Sequence, residues 1–211
     1  MIKQLTYLMV FALMMACNND DRKTESAESK PAEDHSGHAT VASNDYSDSV
    51  NNGIISEDTL KGSPHRTAMA IVNGNHVHIE YNSPGVKGRA IWGGLVPIDK
   101  VWATGAHIAT SVQFSKDVTV NNKKIPAGQY AFFTIPGKEK WTVILNTRYD
   151  QHMADDYDEK EDVVRMDVKP EEHSLTPRLT YNVKTTNNNS GEITMQWEKI
   201  LIRLPFSTTS N

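Results

Sequence analysis

Between residues 63 and 206, short segments rich in β-branched and aromatic residues alternate with turn residues. Asn73-Gly74 is a strong hairpin signal, because both residues tolerate the positive φ of a tight turn. Segments with strand character lie at 67–72, 76–81, 109–114, 118–120, 129–135, 141–146, 163–168, 179–184, 192–197 and 201–206. About ten short strands at this spacing predict an all-β fold, an antiparallel β-sandwich for which a jelly roll is one candidate topology.

One predicted strand is apolar on both faces. Phe132 and Phe133 lie on opposite faces of strand 129–135 because side chains alternate with a period of two. We therefore expect a central strand, covered by a second sheet on one face and by loops on the other. Residues 150–161 (DQHMADDYDEKE) lack strand character and predict a loop with one helical turn.

The N-terminus resembles a bacterial lipoprotein signal. Lys3 precedes a mostly apolar run at 5–16, small Ala16 stands before Cys17, and the polar sequence NNDDRK follows. We expect cleavage of residues 1–16 and acylation of Cys17, which would anchor the protein to a membrane without a spanning helix. An ordinary cleaved signal, or a buried helix with a chance cysteine, are the alternatives. Cys17 is the only cysteine, so an intrachain disulfide is excluded.

Residues 17–62 are mainly polar and predict a flexible tether that holds the folded domain away from the bilayer. Ile54, Ile55 and Leu60 could dock onto the domain as a short lead-in. Within the tether, His35 and His38 lie near two carboxylates and could bind Zn or Cu weakly, although a solvated polar segment is the simpler interpretation. Residues 207–211 are expected to form a C-terminal tail. Together these features predict a protein of the cell envelope that faces the periplasm or the cell exterior.

The overall charge argues against nucleic acid as a partner. The formal net charge is −4 and the pI is near 6.1, whereas a nucleic-acid binder normally carries a basic patch or stripe.

Five segments are similar to one bacterial family: YNSPGVKGRAIWGGLVP, VWATGAHIAT, IPAGQYAFFTIPGKEKWTVILN, YDEKEDVVRMDVKP and the closing WEK. They occur in the same order across residues 63–206 and resemble the domain-of-unknown-function family twenty-nine eleven. The resemblance implies an exported and often lipid-anchored β domain, with no established activity to transfer. The second motif has Ala103 where the family version has arginine, so a role based on positive charge there is not expected.

The stretch from residue 76 to 102 crosses a Pro/Gly turn and predicts a loop pinned between strands, a common place for binding residues. Lys87 and Arg89 could clamp an anionic or sugar ligand, with Trp92 or Trp102 as a stacking face. Core packing of the tryptophans and a structural ion pair at Arg89 are the alternatives. Trp141, within an apolar strand, is expected in the core.

Histidines supply the candidates for a metal or acid–base site. His76 and His78 share one face of a strand, and a third ligand to a divalent metal such as Zn could come from His107 or His152. His107, His152 and Asp156 could instead form a catalytic His/carboxylate site if the 150–161 loop folds over the binding stretch. Solvated or turn-capping histidines are the simpler interpretation of each.

Three functions remain open from the sequence. The favoured one is a non-enzymatic, lipid-anchored envelope protein that binds a small ligand, a glycan or a protein partner. A metal-dependent or acid–base hydrolase-type enzyme is the second, and a structural envelope protein acting by interaction alone is the third. An enzyme requires the histidines and the carboxylate to converge, and a scaffold requires a large apolar patch.

Overall fold

A computed structural model describes residues 46–208 of the chain. Residues 1–45, which contain the expected signal, Cys17, His35 and His38, lie outside the described residues, as do residues 209–211. The predictions of lipidation and of a metal-binding His pair in the tether therefore remain predictions.

The described part contains ten strands, one short 3₁₀ helix and a helical segment at residues 46–51. The strands are β1 (His65–Val72), β2 (Asn75–Asn82), β3 (Ser111–Phe114), β4 (Val118–Val120), β5 (Lys123–Ile125), β6 (Gly128–Ile135), β7 (Trp141–Asn146), β8 (Asp162–Val168), β9 (Glu171–Asn187) and β10 (Ser190–Thr208). The 3₁₀ helix spans Glu159–Glu161, so the interval 150–161 contains the single helical turn that its polarity predicted.

Two antiparallel sheets form the domain, which confirms the predicted all-β sandwich. One sheet has six strands in the order β1-β2-β3-β6-β7-β8, and the other has four in the order β5-β4-β10-β9. The Asn73-Gly74 turn joins β1 to β2 in the register Val72↔Asn75. Both turn residues have positive φ, as the hairpin signal requires.

The main core lies between the sheets and a smaller core lies outside the six-stranded sheet. Phe132 of β6 belongs to the main core, whereas Phe133 packs with Ala103, Ala109 and Ile144 in the smaller one. Loop residues including Met153, Ala154 and Tyr157 cover this second cluster. The prediction that β6 is covered by a sheet on one face and by loops on the other is confirmed.

The long hairpin β9–β10 differs from the predicted short strands. The expected strands 192–197 and 201–206 are one strand, interrupted by register shifts on either side of Glu198. Glu198 has φ +55°, and such a bulge bends a strand without ending it. Strand β5 was not predicted, because its Lys-Lys pair resembles the end of the preceding turn.

The folded part also extends beyond the expected boundaries. Residues 46–51 are helical, with Ser47 and Val50 buried, so the flexible tether expected through residue 62 does not describe residues 46–62. Asp58 supplies the physical reason, because it pairs with the buried guanidinium of Arg178. At the other end, Ser207 and Thr208 pair with β4 instead of forming a tail. No helix among residues 46–208 is long and apolar enough to cross a membrane.

Candidate ligand-binding cleft

The four tryptophans of the chain form one cluster at the end of the sandwich core. Trp92 packs edge-on against Trp141, Trp102 and Trp197, with ring centroids 4.8, 5.8 and 5.8 Å apart. Trp102 and Trp197 are stacked, with centroids 5.7 Å apart and ring planes 23° apart. Edge-to-face and offset-stacked pairs are the favourable geometries of aromatic rings. The cluster thus gives a rigid aromatic floor to the surface above it.

A cleft of about 430 Å³ opens beside the stacked pair Trp102 and Trp197. This volume lies in the range of roughly 300–1,000 Å³ that small-molecule sites occupy. Most of its lining side chains are apolar: Pro84, Leu95, Val96, Pro97, Val101, Ala103, Ala106, Met153 and Ala154. Leu95 is 47% exposed and adds apolar surface to the lining. The shape and lining suit a small apolar group.

The loop at 101–110, which forms one wall, is held in a strained conformation. Thr104 has φ +52°, which costs a β-branched residue about 1–3 kcal/mol. Four hydrogen bonds hold it. The Thr104 carbonyl accepts from Tyr181 Oη at 2.8 Å and from Thr110 Oγ1 at 3.0 Å. The Thr104 hydroxyl donates to the Trp102 carbonyl at 3.1 Å and lies 3.0 Å from that of Thr134. Burial raises the pKa of Tyr181, so its phenol stays a proton donor. Strain held in this way clusters at binding sites.

A second part of the wall comes from the loop at 151–157, which pairs with the 101–110 loop through backbone hydrogen bonds and is anchored at Tyr157. The Tyr157 ring packs edge-on against Phe133 at 5.5 Å, and its hydroxyl donates to Asp162 at 2.8 Å. Burial, followed by the Asp162 carboxylate, raises the pKa of this phenol. Met153 and Ala154 reach the cleft from this loop. Both walls are therefore fixed to β6 and its neighbours.

Among the described residues, Arg89 is the one cationic side chain in the lining. Its Nε donates to the Val86 carbonyl at 3.3 Å, and its Nη2 donates to the Gly85 carbonyl. Within residues 46–208, no carboxylate forms an ion pair with it. The expected structural ion pair is therefore not formed within the described chain.

Asp155 is the anionic side chain of the lining. Its Oδ2 lies 2.8 Å from His152 Nδ1, and both side chains are about two-thirds exposed. Among residues 46–208, the cleft lining thus carries an arginine that has no ion-pair partner and an aspartate that pairs with His152.

Two indole N–H groups of the cluster, those of Trp92 and Trp197, are buried without a hydrogen-bond partner among the described residues. A buried donor without an acceptor costs about 1–3 kcal/mol. Trp197 lines the cleft, and Trp92 lines a second cavity of about 310 Å³ with Trp141. An unsatisfied donor in a native structure calls for an acceptor from outside the chain, such as water or a ligand.

The four predicted ligand-binding residues have three different placements. Arg89 and Trp102 line the cleft. Trp92 supports its floor from within the tryptophan cluster. Lys87 is exposed, does not line the cleft, and donates instead to the Leu60 carbonyl. Trp141 is 3% exposed, which confirms its predicted place in the core.

The predicted histidine sites are only partly brought together. His107 and His152 lie on adjacent backbone segments, since the Met153 N–H donates to the His107 carbonyl at 2.9 Å. The carboxylate beside His152 is that of Asp155, whereas Asp156 is joined to the loop through its backbone. The carboxylate that contacts His152 is thus one residue before the predicted Asp156, and a catalytic role of His107, His152 and Asp156 stays a prediction.

His76 and His78 lie apart from this cleft on β2. Their rings are 6.0 Å apart, and His78 Nε2 is 3.3 Å from Glu80. Within residues 46–208, no group of three or more His, Cys, Asp or Glu side chains is placed to hold a metal ion. Zn binding at His76, His78, His107 or His152 stays a prediction.

Several cleft residues were missed by sequence reasoning. Trp197 belongs to the closing WEK motif and was not predicted to bind a ligand. Leu95 and Met153 have no polar side-chain group that would suggest a binding role. The signal that could have found them is the clustering of sequence motifs. Most of the lining residues belong to four short segments, NSPG, GGLVP, VWATGA and, further along the chain, MAD. Loops joined to the ends of neighbouring strands meet at one edge of a sandwich.

A family model described as protein of unknown function (DUF2911) matches residues 63–206, the whole sandwich apart from the N-terminal lead-in and the end of β10. The chain belongs to this family. No curated protein and no solved structure matches the chain. The DUF2911 region contains both walls of the cleft and all four tryptophans, whereas Asp58, the partner of Arg178, precedes it.

Proposed function

We propose that this DUF2911 protein is a lipid-anchored protein of the cell envelope that binds a small, mainly apolar ligand in the cleft beside Trp102 and Trp197. The anchoring part rests on the sequence around Cys17, where a basic residue, an apolar run and a small residue precede a cysteine. The binding part rests on the described domain.

One observation carries the binding proposal: a concave, largely apolar surface is held open by strained and hydrogen-bonded loops instead of collapsing. Leu95 remains 47% exposed above a floor in which Trp197 is 1% exposed. Exposed apolar surface costs about 25 cal/mol per Å². A chain that keeps such a surface in water gains free energy when a ligand covers it.

The same observations favour an apolar ligand over a glycan. A sugar needs an accessible aromatic face flanked by several polar side chains, but Trp102 is only 6% exposed. Few polar side chains line the cleft. The concave shape also favours a small molecule over a flat protein partner.

Titration of the full chain with a neutral, polarity-sensitive dye such as N-phenylnaphthylamine tests this function. Because all four tryptophans lie in one cluster beside the cleft, we expect saturable dye binding with transfer of excitation from tryptophan to dye. Ala106→Phe fills the cleft from a partly exposed position and should abolish binding. Ala106 is part of neither apolar core, so the fold should persist.

A matched pair of leucine substitutions distinguishes binding in the cleft from nonspecific binding of the dye to exposed apolar surface. Leu95→Ser removes part of the cleft wall, whereas Leu175→Ser removes a leucine that is 55% exposed at a different, polar surface. We expect the dye affinity to fall several-fold for Leu95→Ser and to stay unchanged for Leu175→Ser. Equal effects of the two, or dye binding that survives Ala106→Phe, would overturn the proposed function.

A second candidate function is acid–base hydrolysis at the cleft mouth. The His152–Asp155 pair favours it, because a carboxylate that orients an imidazole is the usual arrangement of a general base. We expect any esterase activity toward an apolar aryl ester to disappear in His152→Asn and to persist in His107→Asn. Absence of turnover above the rate of buffer alone would remove this candidate and leave the binding function standing.

A further inference from the structure

We infer that the ligand of the cleft is an amphipathic anion: an apolar acyl or aromatic body that bears one carboxylate, sulfonate or phosphate, which Arg89 binds. This inference rests on the proposed function and specifies its ligand class. It depends on an observation that the proposed function does not use, namely the N–H donors of the Arg89 guanidinium that have no acceptor among residues 46–208.

Arg89 is held in place by hydrogen bonds, but only some of its N–H donors have acceptors within the described chain. A guanidinium has five N–H donors, and two of those on Arg89 are taken by the carbonyls of Gly85 and Val86. Three N–H donors, the difference of five and two, have no acceptor among residues 46–208. The two carbonyl bonds fix the plane of the group, which lowers the entropy that an incoming anion must overcome.

The chemistry of the remaining donors selects the ligand group. Parallel N–H donors match two oxygens of a carboxylate, sulfonate or phosphate in a bidentate pair. A neutral apolar ligand would leave these donors to water and gain nothing from Arg89. The apolar walls meanwhile exclude a wholly polar anion such as free phosphate as the best ligand.

The second charged group of the lining is Asp155, whose negative charge opposes anion binding. Removal of that charge therefore provides a second test of anion binding. The Asp155 carboxylate is engaged by His152 at 2.8 Å, so part of its charge is offset whenever the imidazole is protonated. Asp155→Asn removes the repulsion without removing Arg89. Affinity for an anionic ligand should therefore rise in this variant.

Two dyes with the same aromatic body provide the test. Anilinonaphthalene sulfonate carries a sulfonate, and N-phenylnaphthylamine lacks it, so the ratio of their affinities isolates the anionic group. We expect the full chain to bind the sulfonate more tightly. Arg89→Met should cost the sulfonate roughly tenfold, the scale of a charge-assisted hydrogen bond, and leave the neutral dye unchanged.

Lys87→Met is the matched control, because Lys87 lies on the same loop, carries the same charge and does not line the cleft. It should leave both affinities unchanged, whereas Asp155→Asn should raise the affinity for the sulfonate only. If Arg89→Met leaves the sulfonate affinity intact while Ala106→Phe abolishes both dyes, the anion inference fails and the proposed function stands. If neither dye binds, both fail.

Competition then identifies the source of the anion. Displacement of the bound sulfonate by a soluble medium-chain carboxylate, with vesicles of anionic phospholipid inert, indicates a free amphipathic acid. Displacement by the vesicles, with the soluble acid weaker, indicates a lipid headgroup and its adjacent chain. Either result supports anion recognition, and displacement by a matched chain amine at equal potency would contradict it.

Discussion

Arg178 and Arg89 are both joined to Gly85, but they differ in how many of their N–H donors have acceptors within the described chain. Arg178 is fully buried, and all five of its N–H donors have acceptors within the chain: Asp58 receives two, and the carbonyls of Leu60, Gly62 and Ser83 receive the others. Arg89 is exposed at the cleft, and two of its donors have acceptors. Gly85 links the two, since it bridges to Arg178 and its carbonyl accepts from Arg89.

The difference separates a structural arginine from a binding one. A buried guanidinium must have every donor satisfied by the protein, because an unpaired buried charge is very costly. An arginine fixed by only part of its donors at an apolar cleft retains capacity for a ligand. Arg178 therefore fastens the lead-in segment 46–62 to the sandwich, and Arg89 is available to a molecule from outside.

The largest expected effect comes from the Arg178 site, in which every N–H donor has an acceptor. Asp58→Asn keeps the side-chain volume but removes the charge that faces Arg178, and breaking one partner of a buried pair costs about 3–5 kcal/mol. Urea denaturation of the full chain should show this loss in the free energy of unfolding. A loss below about 1 kcal/mol, the value typical of surface pairs, would show that the Arg178 site does not fasten the segment.

Gly85→Ala acts on the loop between the two arginines. A Cβ at this position would lie 2.5 Å from Asp58 Oδ2 and 3.3 Å from Lys87 Cγ. Because Asp58 is held by Arg178, its carboxylate has little room to move, and overpacking of this kind costs about 1–3 kcal/mol. We expect a lower melting temperature together with weaker binding of the sulfonate dye. Unchanged stability would mean that the Asp58 carboxylate is free to shift.

Arg89→Met should have little effect on folding. The side chain is exposed and its bonds go to backbone carbonyls of its own loop, so the free energy of unfolding should change by no more than about 0.5 kcal/mol. Circular dichroism and thermal melting check this directly. A loss comparable with that of Asp58→Asn would place Arg89 with the structural arginines and contradict the comparison.

The smallest effect concerns Asp117, whose carboxylate is paired but exposed. Lys124 Nζ at 2.8 Å and the Ala127 N–H at 2.9 Å lower the pKa of Asp117 below its ordinary value. A lowered folded-state pKa gives stability that is present above the unfolded-state pKa of about 3.9 and is lost as the pH falls through the folded value. Asp117→Asn should slightly flatten the acid side of the melting temperature against pH. No change in that slope would contradict the assignment.

The sequence predicted the architecture well because local patterns determine it. The strand at 129–135 was apolar on both faces, and that pattern sufficed to predict a sheet on one side of Phe132 and loops on the other side of Phe133. The long β10 was predicted as two strands because a bulge at Glu198 interrupts the alternation without ending the pairing.

Within the site, only the residues whose own charge or aromatic ring suggested binding were predicted. Arg89 and Trp102 stood out as a cation and an aromatic in a glycine-rich loop, and both line the cleft. Asp58 and Arg178 could not be found, because they are 120 residues apart and their pairing is a tertiary event. Burial of Arg178 beside a polar lead-in also runs against the local pattern, which is typical of a flexible linker.

A crystal structure of the full chain grown with anilinonaphthalene sulfonate would show the bound ligand and its contact with Arg89. We expect the aromatic rings of the dye between Leu95 and the stacked pair Trp102–Trp197, with sulfonate oxygens within hydrogen-bond distance of Arg89. A dye bound at another surface while the cleft holds only water, or a dye in the cleft with its sulfonate turned away from Arg89, would contradict it.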